Sequence, residues 1–217
     1  MHSPKAIIFD MDGTLIDNME YHKQSWIALF KHHKLTLDYD TFDQHYHKGS
    51  LVEIMARLFP AITDKEELFQ IGSYKEVLYR EFYQPHIKAI DGLHSFLDDQ
   101  LKNKRPMGVA TMGDQYNIDF IFDALDLRPY FHSTTGGHQV THGKPHPEIF
   151  LTAAQKLNTP PEECLVFEDT RSGIAAAQAA GMSVIGVATM FDRKTLLELG
   201  CLTAIKSFKE IQNSNFF

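Results

Sequence analysis

Short apolar runs rich in β-branched residues recur along this chain, with helical patterns between them. The runs are Lys5–Phe9, Met107–Ala110, Phe131–Thr134, Cys164–Phe167 and Val184–Val187. The helical patterns cover Gln115–Leu127, Pro147–Leu157 and Gly173–Ala180. Strands alternating with helices predict βαβ units and a parallel sheet, an α/β fold. In such sheets ligands sit outside the carboxyl ends of the strands. The chain has 217 residues, enough for one sizeable domain or a core with an inserted lid.

One interval breaks the alternation. Roughly residues 17 to 89 carry helical patterns, at Glu20–His33, Ser50–Phe59 and Lys65–Phe82, and no convincing strand. The expected division is therefore a core of residues 1–16 and 90–217 with an all-helical cap of residues 17–89. An insertion at this point suits a lid that closes a site against water, although helices of this kind also simply pack on a sheet.

The chemistry gathers where the apolar runs end. Asp10-Met11-Asp12-Gly13-Thr14 follows Ala6-Ile7-Ile8-Phe9. Two carboxylates two residues apart in extended chain point the same way and repel unless positive charge lies between them. Asp10 reads as a nucleophile and metal ligand, and Asp12 as a general acid/base whose backbone carbonyl also reaches the metal. Gly13 permits the turn. An Asp-Gly turn or a helix cap would use the same residues, but not as a pentamer leaving a buried strand.

Three further positions join them. Thr111 ends the second run, placed to donate to a phosphate oxygen or to cap a helix. Lys144 lies in His142-Gly143-Lys144-Pro145-His146-Pro147, where two prolines stiffen a helix entrance, although an exposed loop lysine is the commoner reading of one Lys. Glu168-Asp169 ends the fourth run, with Asp169 completing a metal site and Glu168 supporting it; acids there also suit a helix dipole. Oxygen ligands of this kind suit Mg2+.

Composition closes off other classes. The formal net charge of −7 disfavours nucleic acid and anionic membranes. The basic cluster Lys102 to Arg105 reads as a solvated turn. Two cysteines, Cys164 and Cys201, cannot build a disulfide framework, and no apolar stretch reads as a signal peptide or membrane span, so a cytoplasmic location is the expectation. Twelve histidines invite a metal reading. His138, His142 and His146 recur every four residues, but Gly143 and Pro145 interrupt any helix, which argues against zinc there. His32-His33 and His45/His47 read as solvated surface, and Arg80 as helix packing with a remote chance of touching substrate.

Asp10-x-Asp12-Gly13-Thr14, Thr111, Lys144-Pro145 and Glu168-Asp169 resemble the four motifs of the haloacid dehalogenase (HAD) superfamily, and the match runs along nearly the whole chain. Leu165-Val166-Phe167-Glu168-Asp169, with Gly173 and Ala180-Gly181-Met182, is similar to the β-phosphoglucomutase-like and small sugar phosphatase branch. The resemblance implies a Rossmann-like core with a helical cap. It also implies Mg2+-dependent phosphoryl transfer through an aspartyl phosphate on a small phosphorylated substrate, by a monomer. Asp10, Asp12, Asp169 and Glu168 would form the metal site, and Thr111 and Lys144 would hold phosphate.

Asp12 sets the chain apart from dehalogenases and phosphonatases, which generally lack this second acid. Between phosphatase and mutase the cap decides. Sugar phosphomutases of this branch carry an Arg three residues after a cap Gly, whereas Gly49 is followed by Ser50-Leu51-Val52. Thr14, where mutases often have Val, also leans towards phosphatase. Glu20-Tyr21-His22 and Trp26 suit both, and His22 is a candidate substrate contact. Met112 and Asn18 depart from the commoner pattern. A phosphatase of sugar phosphates is the first expectation, a β-phosphoglucomutase or related mutase the second, and a non-catalytic, ligand-sensing member the third.

Overall fold

A computed structural model of the protein describes residues 3–45 and 49–211. In chain order the elements are β1 (Ala6–Phe9), α1 (Met19–His32), α2 (Tyr39–His45), α3 (Leu51–Leu58), α4 (Lys65–Tyr83), α5 (Leu93–Lys102), β2 (Met107–Ala110), α6 (Gln115–Ala124), β3 (Ser133–Thr135), α7 (Glu148–Lys156), β4 (Cys164–Glu168), α8 (Arg171–Ala179), β5 (Ser183–Val187), α9 (Arg193–Glu198) and β6 (Thr203–Ile205). The strands form one six-stranded parallel sheet in the order β3-β2-β1-β4-β5-β6. This is the parallel α/β sheet that the alternation predicts and the Rossmann-like core that the resemblance implies.

Burial explains why β1 reads as a continuous apolar run. It is the inner strand between β2 and β4, and all four of its residues are fully buried. Alternate side chains serve opposite faces. Phe9 stacks on its register partner Phe167 at 5.1 Å and meets Phe96, Phe131 and Phe208 at 5.7–6.2 Å. Ile8 turns to the other face and joins Val166, Ile149 and Phe150 of α7 and Ile174 of α8.

The chain divides into two compact units, Met1–Asp17 with Lys88–Phe217, and Asn18–Ile87. The second unit is helical and packs around Trp26, Leu29, Phe30, Phe42, Met55 and Leu68. Its α3 starts at a capping box: the Ser50 hydroxyl accepts the Glu53 N–H at 3.4 Å, and Glu53 Oε2 accepts the Ser50 N–H at 2.6 Å. Among the described residues, no helix is long and apolar enough to cross a membrane.

Several elements were not expected. β6 has three residues and α9 six, too short for a periodic signal. α2 has only seven residues, whereas α5 carries helical spacing at Leu93, Phe96, Leu97 and Leu101 that went unread. The third strand begins two residues later than expected, at Ser133, because Phe131 turns into the aromatic cluster.

Candidate active site

Sheet register brings the motifs together. Phe9 lies level with Val109 of β2 and with Phe167 of β4, so the residues after these positions leave the sheet side by side. β1 is flanked by strands that come later in the chain on both sides, the switch point where α/β sheets hold ligands.

Asp10 is nearly buried, and Glu168 and Asp169 are fully so. One carboxylate oxygen from each lies within 4.8 Å of the others. Lys144 reaches the same place from the loop before α7. Its ammonium donates to Asp10 Oδ1 at 2.5 Å, to Glu168 Oε1 at 2.7 Å and to the Ala110 carbonyl at 3.4 Å, and lies 4.9 Å from the Phe150 ring centroid. Its side chain is only 7% exposed, so it is not a loop lysine in solvent.

The remaining groups are held in matched pairs. The Thr111 hydroxyl accepts the Gly113 N–H at 3.0 Å and donates to Asp12 Oδ2 at 3.3 Å. It is not a helix cap; that place at α6 belongs to Asp114. Met112, next along, packs on the core. Likewise Thr170, not an acid, caps α8, while its N–H and hydroxyl donate to Glu168 Oε2 at 2.6 and 3.0 Å.

Two glycines are required by close approach. Gly13 has φ +77°, and a Cβ there would lie 2.0 Å from Asp169 Oδ2. A Cβ on Gly173 would lie 1.6 Å from Glu168 Oε1.

Sequence reasoning gave no role to two hydroxyls. Thr14 donates to Asp169 Oδ1 at 3.1 Å. Thr189 donates to the Gly13 carbonyl at 2.6 Å and lies 3.4 Å from Asp169 Oδ2, linking the first motif to the last. The signal was available: Thr189 comes two residues after β5 ends, as Thr111 follows β2.

Charge is unbalanced in this pocket. Burial pushes the Asp10 carboxyl up to about 8; the Lys144 ammonium opposes this, while Glu168 and Asp12 add to it. Burial, and then the charges of Glu168 and Asp10, hold Asp169 well above the usual carboxylate range. Burial alone would lower Lys144, but Asp10 and Glu168 outweigh it and raise the ammonium above its ordinary value. Three buried carboxylates face one buried ammonium, so the set lacks positive charge that a divalent cation supplies. All-oxygen donors of this kind fit Mg2+.

The helical unit has a polar cluster of its own. His22 stacks on Tyr79 with ring centroids 3.8 Å apart, and its Nδ1 is 2.8 Å from the Lys75 ammonium. Lys75 is buried, pairs with Glu76 at 3.0 Å and lies 4.9 Å from the Trp26 ring centroid. The Asn18 amide donates to the Tyr79 hydroxyl at 2.6 Å. Lys75 and Glu76 went unnoticed because, in sequence, they read as one more charged helix face. Val52 packs against the apolar core of this unit. His47 and the side chain of His45 lie outside the described residues.

A haloacid dehalogenase-like hydrolase family model matches residues 4–181. The chain belongs to this family. Fructose-1-phosphate phosphatase of Escherichia coli is 31% identical over 191 residues, covering 84% of this chain and 95% of that enzyme. β-Phosphoglucomutase of Bacillus subtilis is 30% identical over 191 residues, covering 84% of this chain and 83% of that enzyme. Among solved structures, a family IA, variant 3 HAD hydrolase of Entamoeba histolytica superposes with a TM-score of 0.85 at 30% identity, covering 96% of this chain and 95% of that one. The HAD family membership accounts for the order of motifs along the sheet.

Proposed function

We propose that this HAD hydrolase is a Mg2+-dependent phosphatase of a small phosphorylated metabolite, a sugar phosphate, working through an aspartyl phosphate on Asp10. The observation that carries the reading is the pairing at the end of β1: Asp10 buried against Lys144, and Asp12 hydrogen-bonded to Thr111.

Asp10 attacks phosphorus; Lys144 places its carboxylate and opposes the effect of burial, and a bound cation would complete the charge that keeps it ionised. Asp12 protonates the leaving alcohol, then takes a proton from the water that opens the phosphoenzyme. The Gly113–Thr111–Asp12 chain of hydrogen bonds fixes which Asp12 oxygen faces the hydroxyl. Lys144 neutralises phosphate oxygens, where charge builds, and the Thr111 hydroxyl can donate to one of them only by turning its single hydrogen away from Asp12. Asp10, Asp169, Glu168 and the Asp12 carbonyl would hold Mg2+, which when bound supplies charge neutralisation for the nucleophile and the phosphoryl group. His22 would contact the substrate from the helical unit, which would act as a cap.

Val52 favours phosphatase over mutase. An aliphatic side chain, partly buried against the core of the helical unit, binds no second phosphate, which a sugar bisphosphate intermediate needs. Similarity to a fructose-1-phosphate phosphatase supports the same substrate class. The test is phosphate release over a sugar-phosphate panel with Mg2+. Stoichiometric release is expected. Conversion of β-glucose 1-phosphate to the 6-phosphate, primed by bisphosphate and without release, would overturn the reading in favour of a mutase. Silence across the panel would favour a ligand-sensing role.

Thr189 is a positioning residue in this scheme. Thr189→Val removes the donor to the Gly13 carbonyl and loosens Asp169. The Mg2+ concentration for half-maximal activity should rise about 10-fold or more, with kcat at saturating Mg2+ much less affected. An unchanged Mg2+ dependence would show that Thr189 only packs.

A further inference from the structure

A second cluster of metal-ligating side chains lies outside the acidic pocket, on the loop that delivers Lys144. His142, His146 and Glu148 each present one donor atom within 4.8 Å of the others. The break imposed by Gly143 and Pro145 is real, since α7 begins only at Glu148. It does not separate the side chains: the turn folds His142 and His146 together, with ring centroids 4.6 Å apart. Sequence reasoning equated loss of the helix with loss of the site, and the loop achieves what the helix would have done. His138, the third of the series, is not in the group.

We propose that His142, His146 and Glu148 form a solvent-open site for a borderline divalent cation of the zinc class, distinct from the buried carboxylates. Glu148 Oε2 is 3.0 Å from His142 Nδ1 and 3.9 Å from His146 Nδ1. Donors around a tetrahedral ion with bonds of about 2.0–2.1 Å stand roughly 3.3 Å apart, between these two values. Two imidazoles and one carboxylate select zinc, cobalt or nickel over Mg2+. The His142 and His146 side chains are 62% and 50% exposed, so an ion has access and water can complete its shell.

Glu148 also has a loop-fastening role. It accepts the N–H groups of Thr141 and His142 at 2.8 and 2.9 Å, and these bonds, with the His142 ring, hold its carboxyl down at about 2. It therefore stays ionised as a ligand across the working pH range. That role accounts for Glu148 and His142 more fully than for His146, whose Nδ1 accepts the Glu148 N–H at 3.3 Å and lies 3.9 Å from Glu148 Oε2. A bound ion would tie the two sides of Lys144 to the first turn of α7.

The test is Co2+ titration of the untagged chain carrying saturating Mg2+, followed by visible absorption and calorimetry. One equivalent of nitrogen-ligated Co2+ is expected. The same equivalent should bind to Asp169→Asn, which separates it from the acidic pocket whatever becomes of the phosphatase reading. His146→Ala and His142→Ala should each weaken it about 10- to 100-fold, and His138→Ala should leave it unchanged. His146→Ala is the safer variant, because Glu148 keeps its loop bonds. Equal affinity in both histidine variants, or no Co2+ beyond the acidic pocket, would overturn the proposal.

Discussion

Asp10→Asn should leave a folded protein with turnover reduced at least about 10^4-fold, roughly 5.5 kcal/mol of lost transition-state stabilisation. The substitution keeps shape and removes the attacking oxygen anion. Lys144 retains Glu168 as a partner at 2.7 Å, so the ammonium is not stranded. Acid-quenched wild type given labelled substrate should carry phosphate on the protein, and the variant should carry none. Asp12→Asn gives the companion result. With an aryl phosphate, whose leaving group needs no protonation, it should release about one equivalent of phenol quickly and then stall, because hydrolysis still needs the proton acceptor. Persistent turnover in Asp10→Asn would remove the covalent mechanism. Equal loss of burst and steady state in Asp12→Asn would remove the division of labour between the two acids.

The parts of this site that sequence revealed are those whose chemistry is unusual at a strand end. Acids leaving β1 and β4 stand out because nothing in a buried apolar run explains them. Register then did the rest: Phe9 level with both Val109 and Phe167 sets Asp10 between Thr111 and Glu168 across distances no spacing rule along the chain encodes. Residues that act through a neighbour were hidden. Thr189 is one hydroxyl in a loop until the fold brings it 2.6 Å from the Gly13 carbonyl. Gly173 reads as a helix residue until Glu168 is seen occupying the space of its missing side chain. Lys75 was hidden for the opposite reason: a lysine on an amphipathic helix is ordinarily solvated, and only packing against Trp26 and Glu76 shows it buried. Three of the inserted helices, α1, α3 and α4, were legible from periodicity, whereas α2, β6 and α9 are too short to give that signal.

Asp169→Asn should move stability and activity in opposite directions. In the metal-free protein Asp169 is a buried carboxylate beside two others, with its pKa raised chiefly by burial. An acid whose folded-state pKa is raised binds more protons folded than unfolded above about pH 4, so stability falls as pH rises through that interval. Asp10, raised to about 8, contributes in the same direction. Asn carries no charge and still offers an oxygen to the Thr14 hydroxyl, which now donates to Asp169 Oδ1. In chelator the variant should therefore be more stable than wild type by on the order of 1 kcal/mol or more, a rise of a few degrees in thermal midpoint. The gap should widen between pH 5 and pH 8. Turnover at fixed Mg2+ should fall about 10^3-fold, because a ligand and its charge are gone. Mg2+ should raise the midpoint of wild type and do little for the variant, since the ion binds the folded state through the charge that was removed. A variant less stable than wild type in chelator at pH 8 would mean that Lys144 already balances the three carboxylates. The reason for a divalent cation at this site would then be lost.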